Sequence, residues 1–134
     1  MIVVDVNALA YLWIQGPFTA AAAACLKKDP VWAAPLLWRS EFSNVLAIYL
    51  RKGLLNRTEA GQAFLKAEKT LAGQEFSVAA EEVLDLVMKS SCTAYDCEYV
   101  ALARKLGVKL VTKDGRILRE FPREAVDLEA FAKG

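Results

Sequence analysis

Four carboxylates stand in this sequence where an acid is hard to explain unless it has work to do. Asp5 interrupts the apolar run Met1-Ile2-Val3-Val4-Asp5-Val6, and Glu41 lies in the nearly all-apolar stretch from Leu36 to Leu50. Asp96 follows Cys92-Thr93-Ala94-Tyr95 and opens another apolar segment, and Asp114 comes just after Val108-Lys109-Leu110-Val111-Thr112. Acids are rarely buried unless paired or bound to a cation, because desolvating a lone charge is costly. Four of them, each at the rim of an apolar element, suggest a carboxylate pocket that holds a divalent metal. An all-oxygen donor set suits Mg²⁺ or Mn²⁺.

Each acid also has a plainer reading. Asp5 could cap a helix that begins near Asn7, and Glu41 could pair with Arg39 or sit on the surface. Thr93-Ala94-Tyr95-Asp96 has the spacing of a capping box, and Lys113-Asp114-Gly115 is ordinary turn chemistry. The set is more specific than any member.

Composition removes several competing chemistries. The 134 residues contain no histidine. That excludes Ser-His-Asp and Cys-His catalysis, His-ligated zinc and the two-histidine route of metal-free RNA cleavage. The three cysteines, Cys25, Cys92 and Cys97, form no CxxC pair and read as small buried hydrophobes. Their odd number and the absence of a secretory leader lead us to expect a reducing, cytoplasmic setting. No apolar stretch is long and charge-free enough to span a bilayer, so no membrane association is expected. A net charge of +1 argues against a global field for nucleic acid but allows a local basic patch.

The elements that must position the acids follow from periodicity. Residues 2–6 read as a buried strand. A short helix over 7–15 stops at Gly16-Pro17, and an alanine-rich helix over 19–28 ends at Asp29-Pro30. A strand is expected at 31–34. Pro35 then suits the first turn of a helix reaching Lys52, with Gly53 as its stop. A helix with Thr58 as N-cap should end near Gly73. A strand at 75–78, a helix at 79–89, a helix at 96–106 capped by Thr93, a strand at 109–112, a short helix after Gly115 and a strand at 125–128 complete the chain, with a terminal helical turn. Short apolar strands alternating with helices predict an α/β fold over residues 1–134 as a single domain: a three-layer α/β/α sandwich around a mostly parallel sheet. Ligands in such sheets sit at the carboxyl ends of the strands, where Asp5 and Asp114 fall.

Four stretches carry a resemblance. Ile2-Val3-Val4-Asp5-Val6-Asn7-Ala8-Leu9, Pro35 through Glu41 to Asn44-Val45-Leu46, Thr93-Ala94-Tyr95-Asp96-Cys97-Glu98-Tyr99-Val100-Ala101-Leu102-Ala103, and Leu110-Val111-Thr112-Lys113-Asp114-Gly115-Arg116-Ile117-Leu118 resemble, in order and spacing, the four acidic motifs of PIN domains. Compact chains of this length resemble the VapC-type toxins of toxin–antitoxin pairs. The resemblance implies a Mg²⁺- or Mn²⁺-dependent ribonuclease. It places metal binding and catalysis on Asp5, Glu41, Asp96 and Asp114, and gives Thr112 and Asn7 supporting roles near metal or phosphate. Glu98 is an extra acid, expected to point away from Asp96 on the helix.

Phosphate needs donors, and Arg39, Lys113 and Arg116 are the basic residues closest to the acids in sequence. Arg116 is assigned with Asn7 and Thr112 to substrate binding. Trp13, Trp32 and Trp38 could stack on bases but read more simply as core. Two rival functions remain open. One is a non-catalytic RNA-binding or scaffold module of the same fold, which would gain nothing from a repulsive acidic pocket facing RNA. The other is a phosphohydrolase of the haloacid dehalogenase type, which needs a second acid where this chain has Asn7. Expected partners are RNA, a second copy of the chain and a VapB-type antitoxin. The homodimer is argued from Tyr11, Leu12, Trp13, Phe42, Leu46, Ile48, Tyr49 and Leu50, more apolar surface than one small core should absorb. An antitoxin Arg or Lys placed among the four acids would displace the metal.

Overall fold

Three runs of β-branched and apolar residues lie side by side at the centre of the molecule, which a computed structural model describes over residues 1–134. They are β1 (Ile2–Val4), β2 (Trp32–Pro35) and β4 (Leu110–Thr112), and every residue in them is buried. Strands covered on both faces cannot alternate apolar with polar, so they read as continuous apolar runs. Two outer strands, β3 (Glu75–Phe76) and β5 (Ala125–Asp127), complete a five-stranded sheet in the order β3-β2-β1-β4-β5. All four pairings are parallel. The chain works outward from β1 in one direction and then crosses to β4 on the other side, so the reversal of strand order lies between β1 and β4. Crevices form at the carboxyl ends of strands where the order reverses.

Eight helices supply the crossovers: α1 (Val6–Trp13), α2 (Thr19–Lys28), α3 (Trp38–Arg51), α4 (Arg57–Thr70), α5 (Ala80–Met88), α6 (Ala94–Leu106), α7 (Gly115–Glu120) and α8 (Leu128–Lys133). One helical layer is α6, which lies against β1, β2 and β4 and is backed by α5. The other is built on α1, which packs on β1 and β4 and is joined by α2, α3 and α4. The expected α/β/α sandwich is what forms. A single cluster of 35 buried apolar residues fills it. Truncating a fully buried member such as Phe42 to Ala should cost about 3–5 kcal/mol.

Element ends shift from the sequence expectation by one to a few residues, β1 stopping at Val4 so that Asp5 follows it, and two differences have a clear cause. Pro35 ends β2 instead of opening the next helix. The ladder to β3 uses the N–H groups of Ala34 and Leu36, and β1 pairs with β2 only as far as Ala33, so the missing N–H of Pro35 deprives no partner. Asn56, not Thr58, caps α4, because Asn56 and Glu59 satisfy each other's backbone N–H groups in a reciprocal box. Gly107 ends α6 in the left-handed region at φ 66°, where a Cβ would be strained.

The core also absorbs more than expected. Trp32, Trp38 and Phe42 are fully buried, as are nearly all of Leu12 and Leu46, while Tyr11, Trp13, Tyr49 and Leu50 are half-buried. Of the eight residues offered as surplus apolar surface, only Ile48 is exposed. A stacked cluster of Trp38, Phe42 and Phe64 joins α3 to α4 and explains the difference. Trp32 and Trp38 are therefore core residues and cannot stack on a base.

Candidate active site

The register of the sheet places the first acid. Val4 is opposite Val111, so Asp5, one residue past β1, comes to lie beside Thr112 at the end of β4. Asp5 is 7% exposed and has no cationic partner. Its Oδ1 accepts the N–H of Ala8 at 3.0 Å, capping α1, and its Oδ2 accepts the hydroxyl of Thr112. Thr112 in turn accepts the N–H of Asp114 at 2.9 Å, and Asp114 caps α7 by accepting the N–H of Ile117 at 2.9 Å. One hydroxyl thus links the first and fourth acidic segments. Thr112 is fully buried, and its hydroxyl donates to Asp5 while accepting from the Asp114 N–H. It orients Asp5 and, through the Asp114 N–H, the turn that carries Asp114.

The other two acids come from helices. Glu41 sits in the first turn of α3, on the flank of the buried Trp38-Phe42-Leu46 stripe, and is half-buried. It accepts a hydrogen bond of 2.7 Å from the hydroxyl of Tyr99. Asp96 is the third residue of α6 and closes the capping box with Thr93, the Asp96 N–H reaching Thr93 Oγ1 at 3.0 Å. The capping roles considered for Asp5 and Asp96 are therefore both real, and Asp114, read from sequence as turn chemistry, caps α7 as well. A cap does not bar a carboxylate from meeting a cation, and the positive end of a helix dipole favours a carboxylate there.

The pKa shifts show that the acids are neighbours. Burial pushes Asp5 up to about 6, against the hydrogen bonds from Thr112 and Ala8, and the charges of Asp114 and Glu41 push the same way. Glu41 is also raised, first by burial and then by Asp96 and Glu98, while the Tyr99 hydroxyl opposes the shift. No ion pair in the protein uses Asp5, Glu41, Asp96 or Asp114. Glu41, Asp96 and Asp114 each keep one carboxylate oxygen without a protein partner. Like charges held together, hard oxygen donors to spare and no internal cation fit a divalent ion. The side chains do not already close into a cage, since no three His, Cys, Asp or Glu groups meet at ion-binding distance.

The basic residues divide. Arg39 is committed to Glu75 and Glu68 at 2.7 and 2.8 Å, and Lys113 to Glu129 and Asp127 at 2.6 and 3.2 Å. Both hold the scaffold and neither can meet phosphate without breaking a pair. Arg116 is exposed at the start of α7, with only the Ser91 carbonyl at 3.2 Å. Asn7 is exposed on α1, in a groove between α1 and α3 that also includes Tyr11, Val45 and Ile48. Burial raises all three thiols, Cys92 to about 11, so thiolate chemistry is excluded.

The chain's profile across residues 2–124 matches that of the PIN domain. This chain belongs to the PIN-domain family. Over 124 residues it is 30% identical to Ribonuclease VapC3 of Pyrobaculum aerophilum, a match covering 90% of this chain and 95% of that protein. Its fold resembles the crystal structure of PAE2754 from the same organism, with a TM-score of 0.79 at 25% identity over 98% of this chain and 93% of that one. It also resembles a toxin–antitoxin complex from Klebsiella pneumoniae, with a TM-score of 0.69 at 16% identity over 96% and 98% of the two chains. That last likeness concerns the fold alone.

Within this PIN domain, one residue near the acids is not singled out by the sequence. Tyr99 is 2% exposed and holds Glu41. The available signal was a tyrosine at a core-facing helical position, whose hydroxyl must find a partner. Glu98, two residues on from Asp96, was expected to turn away from it. Glu98 is half-buried, where its charge acts on Glu41 and Tyr99.

Proposed function

We propose that this PIN-domain protein is a divalent-metal-dependent endoribonuclease, acting as one domain over residues 1–134 and serving as the toxin of a toxin–antitoxin pair. The observation that carries the reading is Asp5: a buried carboxylate without a counter-charge, at the strand-order reversal, ringed by further acids. Asp5, Glu41, Asp96 and Asp114 hold Mg²⁺ or Mn²⁺. When bound, such an ion activates a water for attack on the phosphodiester and offsets charge on the phosphate. The chain's own groups do the rest. The Ala8 N–H and Thr112 hydroxyl fix the Asp5 carboxylate, and Asp114 is fixed through the same hydroxyl. Arg116, at the rim, meets the RNA phosphate, and Asn7 contacts the strand beside Asp5. Neutral RNA-binding by a scaffold would gain nothing from these acids, and a haloacid dehalogenase-type reaction would need a carboxylate at Asn7.

A second copy pairs along the groove between α1 and α3, where Ile48 is exposed, and a VapB-type antitoxin silences the site by placing an Arg or Lys among the acids. The names of the related Ribonuclease VapC3 and of the toxin–antitoxin complex support this reading. No helix is long and apolar enough to cross a membrane. Incubating purified protein with RNA, with and without Mg²⁺ or Mn²⁺, tests the proposal. Cleavage should require the metal and vanish in Asp5→Asn; metal-independent cleavage, or none, contradicts it.

A further inference from the structure

We propose that Tyr99 is a positioning residue for the metal site: its buried hydroxyl fixes Glu41 so that Oε2 alone remains as a donor. The inference rests on the nuclease reading and concerns how that site is held in shape. Tyr99 lies one turn after Asp96 on α6, so a single helix carries both an acid of the pocket and the clamp on another. The Tyr99 hydroxyl donates to Glu41 Oε1 at 2.7 Å, and Glu41 has no other hydrogen-bond partner. This is also the one side-chain hydrogen bond that joins α3 to α6. A hydrogen bond to an ionised acceptor is strong and directional. Phenylalanine would fill the same core volume, so packing alone does not explain the hydroxyl. With Oε1 committed, Glu41 is restrained to offer one oxygen, and its carboxylate cannot swing toward solvent away from Asp96 and Asp5. Residues that orient metal ligands typically contribute about 10–100-fold to metal affinity or activity.

Calorimetric titration of the metal-free full chain with Mn²⁺ tests this without relying on activity. Tyr99→Phe should bind Mn²⁺ about tenfold more weakly than the parent. In a Glu41→Gln background, adding Tyr99→Phe should change the affinity little further, because the group it positions is already gone. Tyr95→Phe, which removes an exposed hydroxyl from the same helix, should leave the affinity unchanged. Val100→Ala, a core truncation next to Tyr99, controls for stability and should retain Mn²⁺ affinity even if it melts lower. Equal affinity in Tyr99→Phe and parent overturns the proposal. So does an equal loss in both backgrounds, or a loss in Val100→Ala as large as in Tyr99→Phe. If the parent binds Mn²⁺, Asp5→Asn does not, and Tyr99→Phe matches the parent, the positioning role fails while the nuclease reading stands. If the parent neither binds Mn²⁺ nor cleaves RNA, the nuclease reading fails and takes this inference with it.

Discussion

The two halves of the acidic pocket are built differently. Asp5, Thr112 and Asp114 come from the ends of adjacent central strands, where sheet register sets their spacing and the Thr112 hydroxyl links Asp5 to Asp114. Glu41, Tyr99 and Asp96 come from two helices, are joined by one hydroxyl and leave Glu41 and Asp96 half-exposed. A sheet edge gives rigid placement at the cost of desolvation, which appears as the raised pKa of Asp5. A helix pair gives adjustable placement at lower electrostatic cost. One side is thus anchored by sheet register and the other by the Tyr99 hydroxyl.

The largest expected effect separates the halves directly. Asp5→Asn should abolish cleavage by about 10³-fold or more, equivalent to roughly 4 kcal/mol of transition-state stabilisation. The same change should stabilise the metal-free fold on the order of 2 kcal/mol, because a buried charge is removed while the amide oxygen still accepts from Ala8. Glu41→Gln should lower activity but shift the melting temperature little, since its site is half-open to water. Kinetics and thermal melts on the two variants in parallel would break the comparison if the stability changes came out equal.

Thr112→Val should come next. It leaves the Asp114 N–H and Asp5 Oδ2 without partners, so it should cost about 1–3 kcal/mol of stability and also impair cleavage. Tyr99→Phe should cost less stability, because Glu41 can turn to water. Chemical denaturation of both variants measures the difference. Metal should stabilise the parent in turn: at a free concentration of about 100 Kd the gain is about 2.7 kcal/mol. EDTA should remove that gain and the activity together, which thermal melts and an RNA cleavage assay read separately.

The buried charge also shows in pH. The folded-state pKa of Asp5 is raised from 3.8 to about 6, so the folded protein binds this proton more readily than the unfolded chain. Its contribution therefore makes the metal-free fold more stable as pH falls from 7 through 6 toward 4, and less stable as pH rises. Comparing parent with Asp5→Asn isolates this term, which should be missing from the variant's pH–stability curve.

The same contrast explains what the sequence revealed. Strand-borne acids are legible because an apolar run such as Ile2-Val3-Val4 leaves no ordinary reason for Asp5, and a parallel sheet aligns strand ends on one edge. The order of strands, and hence the adjacency of Asp5 to Thr112, is a tertiary choice that no local pattern encodes. Helix-borne contacts were less visible. The apolar length of α3 obscured which face was buried, and only the structure shows Trp38, Phe42 and Leu46 as the core stripe with Glu41 on its flank. Tyr99 was hidden because a core tyrosine and a clamp look alike until the partner is seen. The boundary errors at Pro35 and Thr58 came from local rules with competing solutions: a missing N–H tolerated where no partner waits, and a stronger box formed two residues upstream.

The central claim is that these carboxylates hold a divalent ion whose loading enables RNA cleavage. Its most direct test is a Mn²⁺ titration of metal-free protein that follows binding calorimetrically and RNA cleavage in the same samples, with Asp5→Asn alongside. Cleavage should rise with metal occupancy in the parent, and Asp5→Asn, though well folded, should neither bind comparably nor cleave. Cleavage that persists without bound metal, or an Asp5→Asn protein that cleaves like the parent, would contradict it.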